Sequence, residues 1–336
     1  MMKRLQKLFG TYKIEQLQII PYRSYGTDSH LYIKGRVLDN EILTHDETES
    51  FLKTVASAWQ QFNTHEIADC ELMLKIGKIE ILTKTDRKGY FLIDAILPIS
   101  ISSIADREGW VSFELQPVNA EMPSASCGGE FLVPELAADF GVISDIDDTI
   151  LNTGVTSFLK WRVLFNSFFV NAFRRIPLKN APEFYSKLHL GIDSAEKNPI
   201  FYVSNSPWNM YQYLKAFLEH NNFPKGPIIL RSFNSFFERV KSAKPHKQKE
   251  ILNLLDAYPK LNFILIGDSG EHDASIYTEI AAQFPHRILC IYLRSVTHRA
   301  KMRRVKSIVD NFRTTPILLV ENSDQALLHA RESGFL

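Results

Sequence analysis

Two rhythms of apolar and polar positions divide the chain. From residue 15 to about 116 the apolar positions come in short runs with a period near two, rich in β-branched and aromatic residues. The runs 15–21, 30–38, 71–76, 78–83, 90–97 and 110–116 read as strands. Tyr25-Gly26-Thr27-Asp28 and Asp86-Arg87-Lys88-Gly89 read as turns between them. One helix interrupts the series at 46–62, where Asp46 can cap and Phe51, Leu52, Val55, Ala58, Trp59 and Phe62 fall near one face. Short strands at close spacing predict a small β-sandwich. The stretch 117–129, with Pro123, Ser124, Ser126, Gly128 and Gly129, reads as a junction.

Beyond it strands alternate with helices. Strands are expected at 140–146, 199–204, 227–231, 261–267, 287–293 and 316–321, and helices at 207–222, 246–258, 271–284 and 324–333, the last closed by Gly334. That alternation implies an α/β fold with a doubly wound parallel sheet and helices on both faces. The predicted organisation is a mainly-β accessory domain at 1–120, a linker at 121–139 and a catalytic α/β domain at 140–336, with a helical insertion at about 151–198.

Composition narrows this only a little. The 336 residues exceed one ordinary core, and 45% hydrophobic with 23% charged residues describes an ordinary globular protein. With 39 basic and 38 acidic residues there is no global field to attract nucleic acid, so none is expected as a partner. Three scattered cysteines, Cys70, Cys127 and Cys290, argue for a reducing, cytoplasmic setting. No apolar run approaches a membrane span, and the basic start at Lys3, Arg4 and Lys7 lacks the apolar region of a secretory signal.

The candidate chemistry sits where apolar runs end. Gly141-Val142-Ile143-Ser144 leads into Asp145-Ile146-Asp147-Asp148-Thr149. A strand buried on both faces cannot hold bare carboxylates in its interior, so these acids belong at its carboxyl end, the ligand-binding edge of open parallel sheets. Asp145 and Asp147, two apart, point the same way on an extended chain, and clustered carboxylates call for a hard cation such as Mg2+ or a shared proton. Two other strand ends repeat the pattern, at Ser204-Asn205-Ser206 and at Asp268-Ser269-Gly270-Glu271-His272-Asp273, while His246-Lys247 opens a helix with a cation. In a doubly wound sheet these ends converge on one crevice.

Asp-x-Asp-x-Thr, a strand-end Ser, a Lys and Gly-Asp-x-x-x-x-Asp, in that order, resemble the four motifs of the haloacid-dehalogenase superfamily. The fuller stretches Ser144–Thr149, Tyr202–Trp208, His246-Lys247 and Gly267–Asp273 are similar to the catalytic domain of the actin-patch phosphatidate phosphatases of fungi and their bacterial relatives. The resemblance implies Asp145 as nucleophile, forming an aspartyl-phosphate, and Asp147 as general acid and then base. It implies Ser204 and Lys247 as contacts to the transferring phosphoryl group, and Mg2+ held by the Asp145 side chain, the Asp147 main-chain carbonyl and Asp268. Asp273 would orient Lys247 or the metal's waters, Thr149 would brace the loop after the nucleophile, and Asn205 would be a supporting residue that fits a structural role as readily. Singly, each motif also fits a duller role: a capped turn at Asp147-Asp148-Thr149, a helix cap at Ser204, a solvated Lys247, a turn at Asp268. Asp148, His246 and His272 fit structural roles as readily, and with no cysteine near either histidine no Zn site is expected.

The insertion is the expected selector of substrate. Residues 157–177 carry Phe158, Trp161, Phe165, Phe168, Phe169 and Phe173 with Lys160, Arg162, Arg174 and Arg175 and no acid, the composition of a helix that packs as a cap or meets a phospholipid surface. A second basic run, 298–306, reads as a solvated helix face or a headgroup contact. The expectation is a Mg2+-dependent phosphomonoesterase acting on phosphatidate, cytoplasmic and peripheral at a membrane. The alternatives are a phosphatase for a soluble sugar, nucleotide or polynucleotide ester, and a catalytically silent lipid- or protein-binding module.

Overall fold

A computed structural model of the chain describes residues 17–39, 65–118, 126–135, 138–147, 149–150, 179–192, 197–231, 244–269, 272–295 and 299–336. The expected helix at 46–62, the aromatic basic segment 157–177 and Asp148 lie outside the described residues.

The first half supplies β1 (Leu17–Pro21), β2 (Ser24–Gly26), β3 (His30–Asp39), β4 (His65–Glu66), β5 (Glu71–Ile76), β6 (Ile79–Lys84), β7 (Tyr90–Ile96), β8 (Trp110–Pro117) and β9 (Cys127–Leu132). They form one hydrogen-bonded network in the order β1-β3-β2-β9-β8-β5-β6, with β4 and β7 also paired to β3. Strand β3 is therefore the hub. Its pleat sends Leu31, Ile33 and Val37 into a core shared with Leu72, Leu74, Phe91, Ile93, Phe113, Leu115 and Phe131.

Three strands were not foreseen, the two-residue β4 among them. Ser24–Gly26 lies partly within the predicted turn, and Cys127–Leu132 lies partly within the stretch read as a junction. Gly128 and Gly129 gave β9 the look of a linker, but at Gly129 a Cβ would come within 2.3 Å of the Phe113 ring, so this glycine marks a close approach inside a sheet.

The second half supplies β10 (Gly141–Ser144), α1 (Ala181–Leu190), β11 (Ile200–Pro207), α2 (Tyr211–His220), β12 (Ile228–Arg231), α3 (His246–Ala257), β13 (Phe263–Asp268), α4 (Asp273–Gln283), β14 (Ile288–Arg294), α5 (Arg299–Asn311), β15 (Ile317–Val320) and α6 (Ser323–Glu332). Six parallel strands run in the order β12-β11-β10-β13-β14-β15. The chain starts at the middle, builds outward through β11 and β12, then crosses back to build through β13, β14 and β15. Alternate residues face opposite layers. Val142, Tyr202 and Ile264 pack with Phe184, Leu214, Phe217 and Ala330 of α1, α2 and α6. Ile143, Phe201, Leu265 and Ile291 pack with Ile251, Leu254, Tyr277, Ile280 and Val305 of α3, α4 and α5.

The helix expected from residue 207 begins later. β11 continues to Pro207 with an irregular register against β12 after Val203, and a single 3-10 turn at Trp208–Met210 precedes α2. In the basic run, Arg303, Arg304 and Lys306 are exposed on α5 while Val305 packs inward, the pattern of a solvated helix face.

The two halves share their cores. Ile20, Tyr22 and Leu38 join the layer containing α1, α2 and α6, and Tyr25, Trp110 and Leu132 join the layer containing α3, α4 and α5. All three cysteines are free: Cys70 and Cys290 are buried, Cys127 is half-buried, and burial pushes the Cys290 thiol up to about 12.

Candidate active site

The register of the parallel sheet assembles the site. Ser144 pairs with Tyr202 on one side and Ile266 on the other, so the chain emerging from β10 leaves the sheet beside the second half of β11 and the end of β13. The Asp145 N–H donates to the Ile266 carbonyl at 2.8 Å, which fixes the acid at the seam between β10 and β13. The order of strand addition reverses at β10, and such reversals open a crevice outside the carboxyl ends.

Asp145, Asp147, Thr149, Ser204, Lys247, Asp268 and Asp273 are all buried. Lys247, in the first turn of α3, places Nζ 2.9 Å from Asp145 Oδ1 and 2.5 Å from Asp273 Oδ1. The Thr149 hydroxyl donates to Asp145 Oδ2 at 3.1 Å, so each oxygen of this carboxylate has its own donor. Asp273 opens α4 and accepts the Asp268 N–H at Oδ2, 3.3 Å away. It therefore ties the end of β13 to the lysine on α3. Gly267 makes room for this: a Cβ there would lie 2.4 Å from Asp273 Oδ2.

On the other side of Asp145, the Ser204 hydroxyl donates to Asp147 Oδ2 at 2.6 Å, and the Ser206 hydroxyl donates to the same oxygen at 2.9 Å. The Ser206 N–H donates to Ser204 Oγ at 2.8 Å. Of the two serines, only Ser204 was expected to touch the phosphoryl group. The signal for Ser206 was its spacing, since a residue two further along an extended chain returns to the same side. Asn205 between them is half-buried. A second group went unnoticed: Ser144 Oγ lies 2.6 Å from the Tyr185 hydroxyl, which packs α1 under the β10 end, and burial raises the Tyr185 pKa.

His246 sits beside the site with Nδ1 3.8 Å from Glu250. Burial lowers its pKa to about 4; Glu250 opposes the shift while Lys34, Arg231 and Lys247 reinforce it, so the ring is neutral near pH 7. His272 directly precedes α4 and is exposed.

Among the described residues the site gathers four buried carboxyl groups, Asp145, Asp147, Asp268 and Asp273, against one buried ammonium, Lys247. Buried charge of one sign is costly unless offset, so this donor set fits a hard cation bound by oxygen. No three His, Cys, Asp or Glu side chains among the described residues form a metal-binding group by themselves. A cation here would draw on two carboxylates and a main-chain oxygen.

The fold and site define a parallel α/β unit with an acid, lysine and serine cluster at the carboxyl rim of its sheet. Residues 140–295, which contain every element of that cluster, match the family model described as the catalytic domain of phosphatidate phosphatase APP1. The phosphatidate phosphatase APP1 of Saccharomyces cerevisiae is 37% identical over 215 residues, covering 62% of this chain and 34% of the yeast protein. The uncharacterized protein C29B5.04c of Schizosaccharomyces pombe is 27% identical over 286 residues, covering 76% of this chain and 44% of that protein. The chain thus spans less than half the length of either of these curated relatives. Among solved structures, a carbohydrate acetylesterase from Xanthomonas citri aligns over 94% of this chain and 76% of its own, with 10% identity and a TM-score of 0.33, too remote to inform fold or chemistry.

Proposed function

We propose that the chain is a Mg2+-dependent phosphomonoesterase of haloacid-dehalogenase-like, doubly wound topology, with phosphatidate as its substrate and diacylglycerol and phosphate as products. The contact that carries the reading is Lys247 Nζ against the buried Asp145 carboxylate, within a segment matching a phosphatase catalytic domain. Asp145 is the nucleophile: one carboxylate oxygen bonds to phosphorus as the bond from phosphorus to the ester oxygen breaks, leaving an aspartyl-phosphate. Lys247 and Thr149, one on each oxygen, hold that carboxylate in a single orientation.

Asp147 is the general acid. Its Oδ2 accepts from two serines, which turns Oδ1 into the oxygen that delivers a proton to the departing alkoxide. In the second step it takes the proton of the water that hydrolyses the intermediate. Ser204 turns its hydroxyl from Asp147 to a phosphoryl oxygen when substrate enters, and Ser206 keeps Asp147 in place meanwhile. Lys247 offsets charge on the transferring group, and Asp273 keeps it aimed. Asp145, Asp268 and the Asp147 carbonyl would hold Mg2+, which when bound offsets the repulsion between carboxylate and phosphate. Segment 157–177 would meet the lipid surface.

The test is phosphate release from phosphatidate in mixed micelles and from a panel of soluble monoesters, each with Mg2+ and with a chelator. Release from phosphatidate that the chelator abolishes is the expected result. Turnover of the soluble panel alone would move the substrate to a soluble ester, and vesicle binding without any turnover would support a silent module.

A further inference from the structure

The cluster that does the chemistry belongs to the second half of the chain, yet two of its segments are gripped by the first. Along β3 the residues facing away from the N-terminal core are Tyr32, Lys34 and Arg36. Lys34 Nζ lies 3.4 Å from Glu250 Oε1 and 4.7 Å from the centre of the Tyr32 ring. Glu250 is only 4% exposed and stands on α3 one turn after Lys247. Burial works against the Lys34 charge, but Glu250 and Tyr32 more than offset it and hold the ammonium above its usual range. At the other end of α3, the Tyr258 hydroxyl donates to the Gly26 carbonyl of β2 at 2.8 Å. The helix that carries Lys247 is thus tied to the N-terminal sheet near both ends.

The same face of β3 reaches the serine segment. Arg36 donates to Asn209 Oδ1 at 3.0 Å, just beyond the Ser204–Ser206 end of β11. Tyr22 stacks on Trp208 with 4.0 Å between ring centres, and the Arg23 N–H donates to the Tyr211 hydroxyl at 2.7 Å.

With Glu250 buried and Lys34 half-buried, this ion pair is a poor stabiliser, because desolvation cancels much of its attraction, but it fixes the geometry of the elements it joins. Here those elements are the hub strand of the N-terminal sheet and the helix that aims the one buried lysine of the cluster among the described residues. We propose that Lys34 is a positioning residue for phosphoryl transfer. Through Glu250 it sets the placement of α3, and so of Lys247 against Asp145; Arg36, through Asn209, does the same for Ser204. The inference rests on the phosphatase reading of the site, and it assigns the β2–β3 ribbon to the catalytic apparatus.

The test uses the whole chain with Lys34→Met, Lys34→Arg and Asn209→Ala. For each, kcat and KM on a soluble monoester or phosphatidate micelles, the thermal midpoint, and amide hydrogen exchange across α3 are measured. Lys34→Met is expected to lower kcat about tenfold with KM nearly unchanged, and to speed exchange at the start of α3, while Lys34→Arg recovers most of the loss. A kcat per folded molecule within about twofold of wild type, or unaltered exchange at α3, overturns the proposal and leaves the pair a merely structural role. Should Lys34→Met fail to fold, Asn209→Ala decides for the same face: about threefold or more lost in kcat supports it, and no loss overturns it. Should the wild-type chain release no phosphate from any ester, the functional reading falls by itself, and exchange at α3 still judges the tie between sheet and helix.

Discussion

Asp145 carries the heaviest chemical demand of any single residue. Asp145→Asn keeps its shape and removes its charge, so phosphate release is expected to fall by about three orders of magnitude or more while the circular dichroism stays that of wild type; retained turnover would eliminate Asp145 as nucleophile. Gly267→Ala is the steric counterpart. Its new Cβ would press on Asp273 Oδ2, so the carboxylate must leave either Lys247 or the Asp268 N–H. A loss of about 1–3 kcal/mol in denaturant unfolding is expected, with a fall in kcat beyond what the lost folded fraction explains. His246 sets a pH dependence. Its folded pKa, about 4, lies below the ordinary 6.5, so between those values the unfolded chain binds the extra proton. Stability from its neutral burial is therefore complete above pH 6.5 and is lost as pH falls toward 4, by roughly 3 kcal/mol at most. Glu250, Lys34, Arg231 and Lys247 act on His246 as fixed neighbouring charges, so His246→Phe, if folded, should flatten the acid side of an unfolding-midpoint profile measured against pH.

At the scale of elements, the strands and helices of the second half were legible because each buried strand ends abruptly in polar residues and each helix shows an apolar stripe. Asp145, Asp147, Ser204 and Asp268 stood out for that reason. What escaped notice depended on neighbours rather than on local pattern. β9 hides behind two glycines, and at the second of them, Gly129, it is Phe113 that needs the space. Ser206 looked like part of a helix cap, since Pro207 suits a first turn; the structure keeps it on the strand, where it reaches Asp147. Lys34 and Glu250 are 216 residues apart, and no periodicity links them. Lys247 itself was flanked by Lys244 and Lys249 and read equally well as a solvated helix residue, yet it is 1% exposed. The element that makes the difference is α3, which α4 and the N-terminal sheet press against the crevice.

At the scale of the whole molecule, the first half has a core of its own, yet some of its side chains also enter the cores of the second. Ile20, Tyr22, Tyr25, Leu38, Trp110 and Leu132 all leave the first half to pack in the second. A chain beginning near residue 135 would expose that contact area to water. It is expected to bind a hydrophobic dye and to unfold at a lower temperature than the full chain; an equal midpoint and no dye binding would show the parallel-sheet half to be autonomous. No helix among the described residues is long and apolar enough to cross a membrane.

Cys290 offers a clock for the sheet. Its sulfur lies inside β14 with no exposure and holds its proton far above neutrality. An alkylating reagent at pH 7 should therefore modify Cys127 first and reach Cys290 only through molecules in which the packing over β14 has opened. Mass spectrometry of the two alkylation rates would then read out how often that side of the sheet opens, with no probe added to the protein.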